Sequence, residues 1–194
     1  ITSLYQKRLT RLGIKTLQDL IFHFPWRYED VSRVALIGAL EEGQKVSVHG
    51  LVRAIKTRRG WGRSRFITEA LVEDDSGALK VTWFNQPYLT QTYKAGTRIA
   101  LAGKVGRDKK GELEFISPEA EFLGGALLHT SGFIPIYPET YGVSSKWLRW
   151  KIHSFLPLLL DQVEEDLPEE ALKRHVLIGI KEALLRIHFP LNVK

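Results

Sequence analysis

Phe84 and Tyr88 stand four residues apart in the stretch Val81-Thr82-Trp83-Phe84-Asn85-Gln86-Pro87-Tyr88-Leu89. The chemistry available to such a pair is stacking, since an open aromatic face can receive an unpaired nucleotide base whatever its identity. Lys80, Thr82 and Phe84 alternate with Leu79, Val81 and Trp83. Strand side chains have period two, so one face is apolar and the other is polar with a ring at its end. Pro87 has a fixed φ and no N–H for a ladder bond, so the strand stops there and the turn carries Tyr88 out beside Phe84. The competing reading puts Trp83, Phe84 and Tyr88 all in the core.

A second group could bind phosphates. Arg53, Lys56, Arg58, Arg59, Arg63 and Arg65 surround Gly60-Trp61-Gly62 with no acid among them, which combines cations with an indole on a glycine tip. Such charge runs are also ordinary solvated faces. Lys104, Arg107, Lys109 and Lys110 add a second basic patch if their strands lie near this loop. The candidate contacts to a nucleic acid are therefore Arg58, Arg59, Trp61, Arg63, Arg65, Lys80, Asn85, Gln86, Lys104 and Arg107, with Phe84 and Tyr88 as the stacking pair.

Catalytic patterns are missing. Gly103-Lys104 lacks both the following Ser or Thr and the upstream glycine of a phosphate loop. The histidines His23, His49, His129, His153, His175 and His188 show no metal-ligand spacing, and each reads as structural or surface. Asp74-Asp75 and Glu164-Glu165-Asp166 fall in expected turns, where carboxylates cap and solvate. No catalytic residue, metal site or cofactor is assigned.

The elements that must position these groups are bounded by composition. With 194 residues, 44% of them hydrophobic, the chain can bury a sizeable core as one elaborated domain or two small ones. The absence of cysteine excludes disulfides and thiolate metal sites and fits a reducing cytosol. No apolar run is long enough to span a membrane and no signal core is visible, so the expected location is the cytoplasm. A net charge of +6 favours a polyanionic partner. The lack of any methionine leads us to expect a piece of a longer protein.

Five β segments are predicted near 45–57, 64–74, 78–84, 97–105 and 112–122, with turns at Asp74-Asp75-Ser76-Gly77 and Lys109-Lys110-Gly111 and a short helix between Pro87 and Tyr93. This is a mainly β chain with flanking helices, read as a five-stranded barrel of the oligonucleotide/oligosaccharide-binding (OB) type rather than a sandwich. In that fold the middle strands and the first and last long loops form the binding face. Residues 1–30 read as a helical hairpin, 31–125 as the barrel, and 126–194 as linking helices. Thr16 is an expected N-cap, and Trp26-Arg27-Tyr28-Glu29-Asp30 a connection. Ser144 or Ser145 caps a helix through Leu148, Ile152, Phe155, Leu156 and Leu159 that Pro157 should kink or end. A last helix is predicted over 180–188.

Several motifs carry a family resemblance. Leu12-Gly13-Ile14-Lys15-Thr16-Leu17-Gln18-Asp19-Leu20 leads to Phe24-Pro25-Trp26-Arg27-Tyr28-Glu29-Asp30. Then come Phe84-Asn85-Gln86-Pro87-Tyr88-Leu89, Pro135-Ile136-Tyr137-Pro138 and Ala183-Leu184-Leu185-Arg186-Ile187-His188-Phe189-Pro190. In this order they resemble the N-terminal region of the RecG branch-migration helicases. The resemblance implies a wedge on an OB barrel that splits strands at a DNA fork, joined to a two-lobed superfamily 2 motor using ATP and Mg²⁺. That motor should begin just after this chain, and the helix before the hairpin is cut short at Ile1. The implied partners are branched DNA, namely replication forks and Holliday junctions in recombination and repair, and the motor of the same polypeptide; no membrane is involved, and the chain is expected to be a monomer. The resemblance also implies that the two rings stacking on separated template bases are Phe84 and Tyr88. Two other readings stay open: an RNA-binding OB module such as an anticodon reader, and a protein-interaction domain.

Overall fold

The computed structural model describes residues 2–60, 65–124 and 127–190. In chain order the elements are α1 (Ser3–Thr10), α2 (Leu17–Ile21), β1 (Arg27–Asp30), β2 (Lys45–Arg59), β3 (Phe66–Asp74), β4 (Gly77–Phe84), α3 (Leu89–Thr92), β5 (Arg98–Arg107), β6 (Leu113–Ile116), β7 (Glu119–Phe122), β8 (Phe133–Ile136), α4 (Ser145–Leu159), α5 (Glu169–His175) and α6 (Ile180–His188). They fall into two compact units. One combines Ile1–Glu29 with Phe133–Lys194, and the other is Asp30–Gly132. The three-part division at 30/31 and 125/126 therefore differs from the packing, in which the N-terminal hairpin and the C-terminal helices share one core.

In the barrel unit, strand parity sorts the side chains. Val46, Val48, Val52, Val72, Leu79, Val81, Trp83, Ile99, Leu101 and Phe115 point inward and form its core. The ladders run β2–β3–β4–β6–β5 and return from β5 to β2, with β4 and β6 parallel and the other pairs antiparallel. This is the expected five-stranded OB ring, with α3 inserted between β4 and β5. The long β2 serves two partners: Lys45–Leu51 pairs with β5 and Leu51–Arg59 with β3, the register slipping between Val52 and Ala54. Gly50 sits where the strand changes partner, and a Cβ there would come within 2.6 Å of Val72 Cγ1. No larger residue fits that approach without displacing β3.

The last predicted strand is broken. Ser117 has φ +48° and Pro118 has no N–H, so β6 ends and the chain bends into β7, which adds to β5 at Ile99–Ala102. Trp83 Nε1 donates to the Pro118 carbonyl at 2.9 Å, so the bend also satisfies the indole buried beneath it. Tyr93, whose hydroxyl donates to the Ala120 carbonyl at 2.7 Å, has its pKa pushed up to about 12, chiefly by burial. Asp74 caps its predicted turn by accepting from Ser76 N, Ser76 Oγ and Gly77 N.

In the helical unit, Leu9, Ile14, Leu20, Ile21, Leu148, Ile152, Leu156 and Leu184 form the core around Tyr137. Thr16 and Asp19 make a full capping box on α2, and the Ser144 hydroxyl accepts from Trp147 N at the start of α4. His188 is buried between two partners. Its Nε2 lies 2.7 Å from the Ile21 carbonyl, which can only accept, so Nε2 carries the proton and Nδ1 accepts from Tyr137 Oη at 2.8 Å. Desolvation lowers the His188 pKa and keeps the ring neutral.

Three sequence expectations change here. Arg27–Asp30 is not a loose connection but a strand laddered with β8, with Trp26 N donating to the Ile136 carbonyl. The segment after Gly124 is not wholly helical, because β8 precedes α4. Pro157 neither ends α4 at once nor excludes helix after it, since α4 continues to Leu159 before a short 3₁₀ turn. Among the described residues no helix is long and apolar enough to cross a membrane, and no His, Asp and Glu cluster could hold a metal ion.

Candidate nucleic-acid interface

Adjacent residues of β4 meet opposite fates. Trp83 is 1% exposed, whereas Phe84 is 39% exposed on the outward face. The chain then turns through Asn85 at φ +58°, a left-handed conformation that asparagine tolerates better than most residues. Asn85 N donates to the Phe66 carbonyl at 2.8 Å, and Phe66 N returns a bond to Asn85 Oδ1 at 3.4 Å. The next link is buried. Thr68 Oγ1 donates to the Gln86 carbonyl at 3.0 Å, which leaves Thr57 Oγ1 to donate to Thr68 at 2.8 Å. Leu89 anchors the far side of the turn in the core.

Tyr88, 57% exposed, is held on this braced turn, and its hydroxyl donates to Gln86 Oε1 at 2.9 Å. Neither Phe84 nor Tyr88 stacks on another aromatic ring among the described residues. Both rings keep a solvent-exposed part that a ligand can reach. The side chains of Asn85 and Gln86, expected to contact a nucleic acid, also shape the turn that presents the rings.

Register brings the cations of the first hairpin alongside. Arg58 pairs with Ile67, which pairs with Phe84, so two strand spacings, roughly 10 Å, separate the Arg58 and Phe84 backbones. Arg59 pairs with Phe66, and Arg65 closes the hairpin by accepting from Gly60 N. Trp61 and Arg63 lie outside the described residues. Charge is less free than the sequence implied. Arg58 has Glu69 at 3.3 Å, Arg53 pairs with Glu73, and Lys80 lies 3.2 Å from Asp108 and 3.7 Å from Glu114. The hydrogen bond to Asp108 raises the Lys80 pKa. Lys56, Arg59, Arg65 and Lys104 have no acidic partner among the described residues.

Arg107 is engaged by Glu42 at 2.7 Å and pairs with Leu113, one residue before the Glu114 that faces Lys80. That puts it level with Leu79, about 17 Å along β4 from Phe84. The second basic patch is thus not gathered as a whole around the rings. Lys104 is exposed, opposite Lys45 on β2, and its neighbour Gly103 is opposite Val46. The Gly-Lys pair is therefore mid-strand, not in the strand-to-helix turn of a phosphate loop.

Sequence reasoning missed two exposed apolar side chains near this turn. Phe66, 39% exposed, lies against Asn85, and Ile116, 49% exposed, lies opposite Thr82 on the outward face. Outward parity with Thr82 would have identified Ile116 had the parallel β4–β6 register been known. On the outward face Phe84, Ile67 and Ile116 make an apolar strip with Arg58 beside it and Tyr88 on the turn that follows, while Phe66 and Arg59 have the opposite parity at their strand ends. Such a strip can stack on bases while its edge neutralises phosphates.

A family model described as the RecG wedge domain matches residues 3–159. The ATP-dependent DNA helicase RecG of Thermotoga maritima is 32% identical over 189 residues, covering 95% of this chain and 24% of that protein. Its namesake in Escherichia coli K12 is 33% identical over 189 residues, covering 94% of this chain and 26% of that protein. The chain thus spans about a quarter of the length of these relatives. A solved structure of RecG bound to a three-way DNA junction superposes with a TM-score of 0.83 at 30% identity, covering 98% of this chain and 26% of that one. With its wedge-domain match over most of its length and its OB ring carrying two open rings on a braced turn, the chain belongs to the RecG wedge domain family.

Proposed function

We propose that this chain is the junction-binding wedge of an ATP-dependent DNA helicase that remodels stalled replication forks and branch-migrates Holliday junctions in recombination and repair. The observation that carries the reading is the pair of exposed rings, Phe84 and Tyr88, on a turn fixed by Thr57, Thr68, Asn85 and Gln86. A ring on a rigid support loses little freedom on binding, so stacking energy goes to separating strands rather than to ordering the protein. As duplex arms are drawn past the barrel, Phe84 and Tyr88 cap the bases exposed at the junction, replacing stacking worth about 1–3 kcal/mol per base. Arg58, Arg59 and Arg65 hold the adjoining phosphates. ATP and Mg²⁺ belong, in this proposal, to a motor of the same polypeptide outside these residues, because the one Gly-Lys pair is locked in a β ladder.

Competition binding with forked, duplex and single-stranded DNA tests the reading. Phe84→Ala and Tyr88→Ala should each weaken fork binding by roughly 1–3 kcal/mol and leave binding to the interior of a duplex nearly unchanged. Equal loss on fork and duplex would overturn it. A preference for single-stranded RNA over a DNA fork would favour an RNA-binding module, and affinity insensitive to salt a protein partner.

A further inference from the structure

The helical unit carries a second set of rings and cations that the wedge does not use. Residues 1–18 hold Lys7, Arg8, Arg11 and Lys15 without an acid, and residues 140–160 hold Lys146, Arg149 and Lys151 without an acid. The fold lays these two acid-free segments together. Tyr5 of α1 stacks on Trp147 of α4 with centroids 4.9 Å apart and planes 8° from parallel. Arg8 lies 5.5 Å from the Tyr5 ring and 5.7 Å from the Tyr141 ring. Lys151 Nζ lies 5.7 Å from the Trp147 ring and 4.1 Å from the Trp150 ring. The result is one row: Tyr141, Arg8, Tyr5, Trp147, Lys151, Trp150.

Helix packing explains the middle of this row but not its ends. Tyr5 and Trp147 are half-buried and clamp α1 to α4, and Arg8 braces the loop by donating to the Gly142 carbonyl at 3.2 Å. Gly142, at φ +77°, leaves no room for a Cβ beside that guanidinium. The ends stay open, with Tyr141 83% and Trp150 51% exposed. Lys7 on α1 and Arg11 at the end of that helix, three residues after Arg8, are exposed, and neither they nor Lys151 has an acidic partner among the described residues. Unpaired cations together with the open rings at the ends of this row complement an unpaired nucleic-acid strand, whose phosphates and base faces are both free.

We propose that this face of α1 and α4 is a second nucleic-acid contact that takes a single strand. Lys7, Arg11 and Lys151 hold its phosphates, and Tyr141 and Trp150 take its bases. The proposal extends the wedge reading but uses none of its residues, so the two stand or fall separately.

The test uses the whole chain and a fluorescein-labelled oligothymidylate. Tyr141→Ala combined with Trp150→Ala should weaken its binding roughly tenfold or more. Replacing Lys7, Arg11 and Lys151 together by Gln should flatten the salt dependence by about two units, at about 0.7 per cation for a single strand. Tyr141→Ala alone, at a side chain too exposed to unfold the protein, should weaken binding about fivefold. Affinity and salt slope unchanged in all three variants would overturn the proposal. So would polyglutamate competing as well as the oligonucleotide, which would mark the face as a site for an acidic protein. If Phe84→Ala and Tyr88→Ala abolish fork preference while these variants change nothing, the wedge stands and the helical contact falls; with the opposite pattern of losses, the helical contact stands and the wedge falls.

Discussion

In the barrel unit, Arg53, Arg58, Lys80 and Arg107 each have an acidic neighbour, whereas Arg8 and Lys151 of the helical unit have aromatic rings instead. The rings follow a different rule in each unit as well. Parity decides in the barrel, burying Trp83 and exposing Phe84 one residue later. In the helical unit, contacts between segments far apart in sequence decide, as when Tyr137 and His188 complete each other's hydrogen bonds. The difference teaches that a net charge of +6 does not describe a field. An arginine beside a glutamate contributes little to a distant phosphate, while an unpaired lysine on a ring contributes nearly its whole charge. Cations alone would therefore mislead about where an anion binds.

The sharpest way to break the comparison is at neighbouring rings. Trp83→Ala should cost about 3–5 kcal/mol of stability, because it empties a fully buried site and orphans the Pro118 carbonyl. Phe84→Ala should change stability by less than about 1 kcal/mol. Urea denaturation of both variants measures this, and similar losses would mean that parity does not sort the two rings.

Acid should act on the buried relay of the helical unit. The folded pKa of His188 is lowered, so its contribution is fully present above about 6.5 and is lost as pH falls from there toward the folded value. The slope is at most about 1.4 kcal/mol per pH unit for one group. His23 adds in the same direction, since burial lowers its pKa too. Denaturation midpoints at pH 7.5, 6.5 and 5.5 should decline, and His188→Gln should flatten that decline while lowering the starting stability. A wild-type curve that rises toward pH 5.5 would contradict a neutral buried ring.

The smallest effect separates paired from unpaired arginines. Arg59→Gln should lower the salt slope of duplex binding by about 0.9, while Arg58→Gln should lower it by less, because Glu69 already offsets part of that charge. Removing the exposed Arg58–Glu69 pair should cost no more than about 1 kcal/mol of stability. Equal slopes for the two variants would show that Glu69 gives way when DNA binds.

Much of this was legible locally. The alternation around Trp83, the turn residues Asp74 to Gly77, the capping signals at Thr16 and Ser144, and Pro87 as a strand stop depend on near neighbours, whose sterics and hydrogen bonds are written in sequence order. The motif from Phe84 to Tyr88 likewise located the rings. What the sequence could not supply was pairing at a distance. Arg27–Asp30 becomes a strand because β8, more than 100 residues later, offers it a ladder partner. The last barrel strand breaks at Pro118 because Trp83 and β5 hold its two halves in different places. The acids that neutralise Arg58, Lys80 and Arg107 come from other strands or turns, so composition read along the chain overstated the free charge around Phe84. By itself, then, the sequence determined the local elements and which rings end a strand. Tertiary structure alone decided which cations remain unpaired and which rings stay open, because charge pairing and burial depend on distances in space that only long-range ladders and packed helices set.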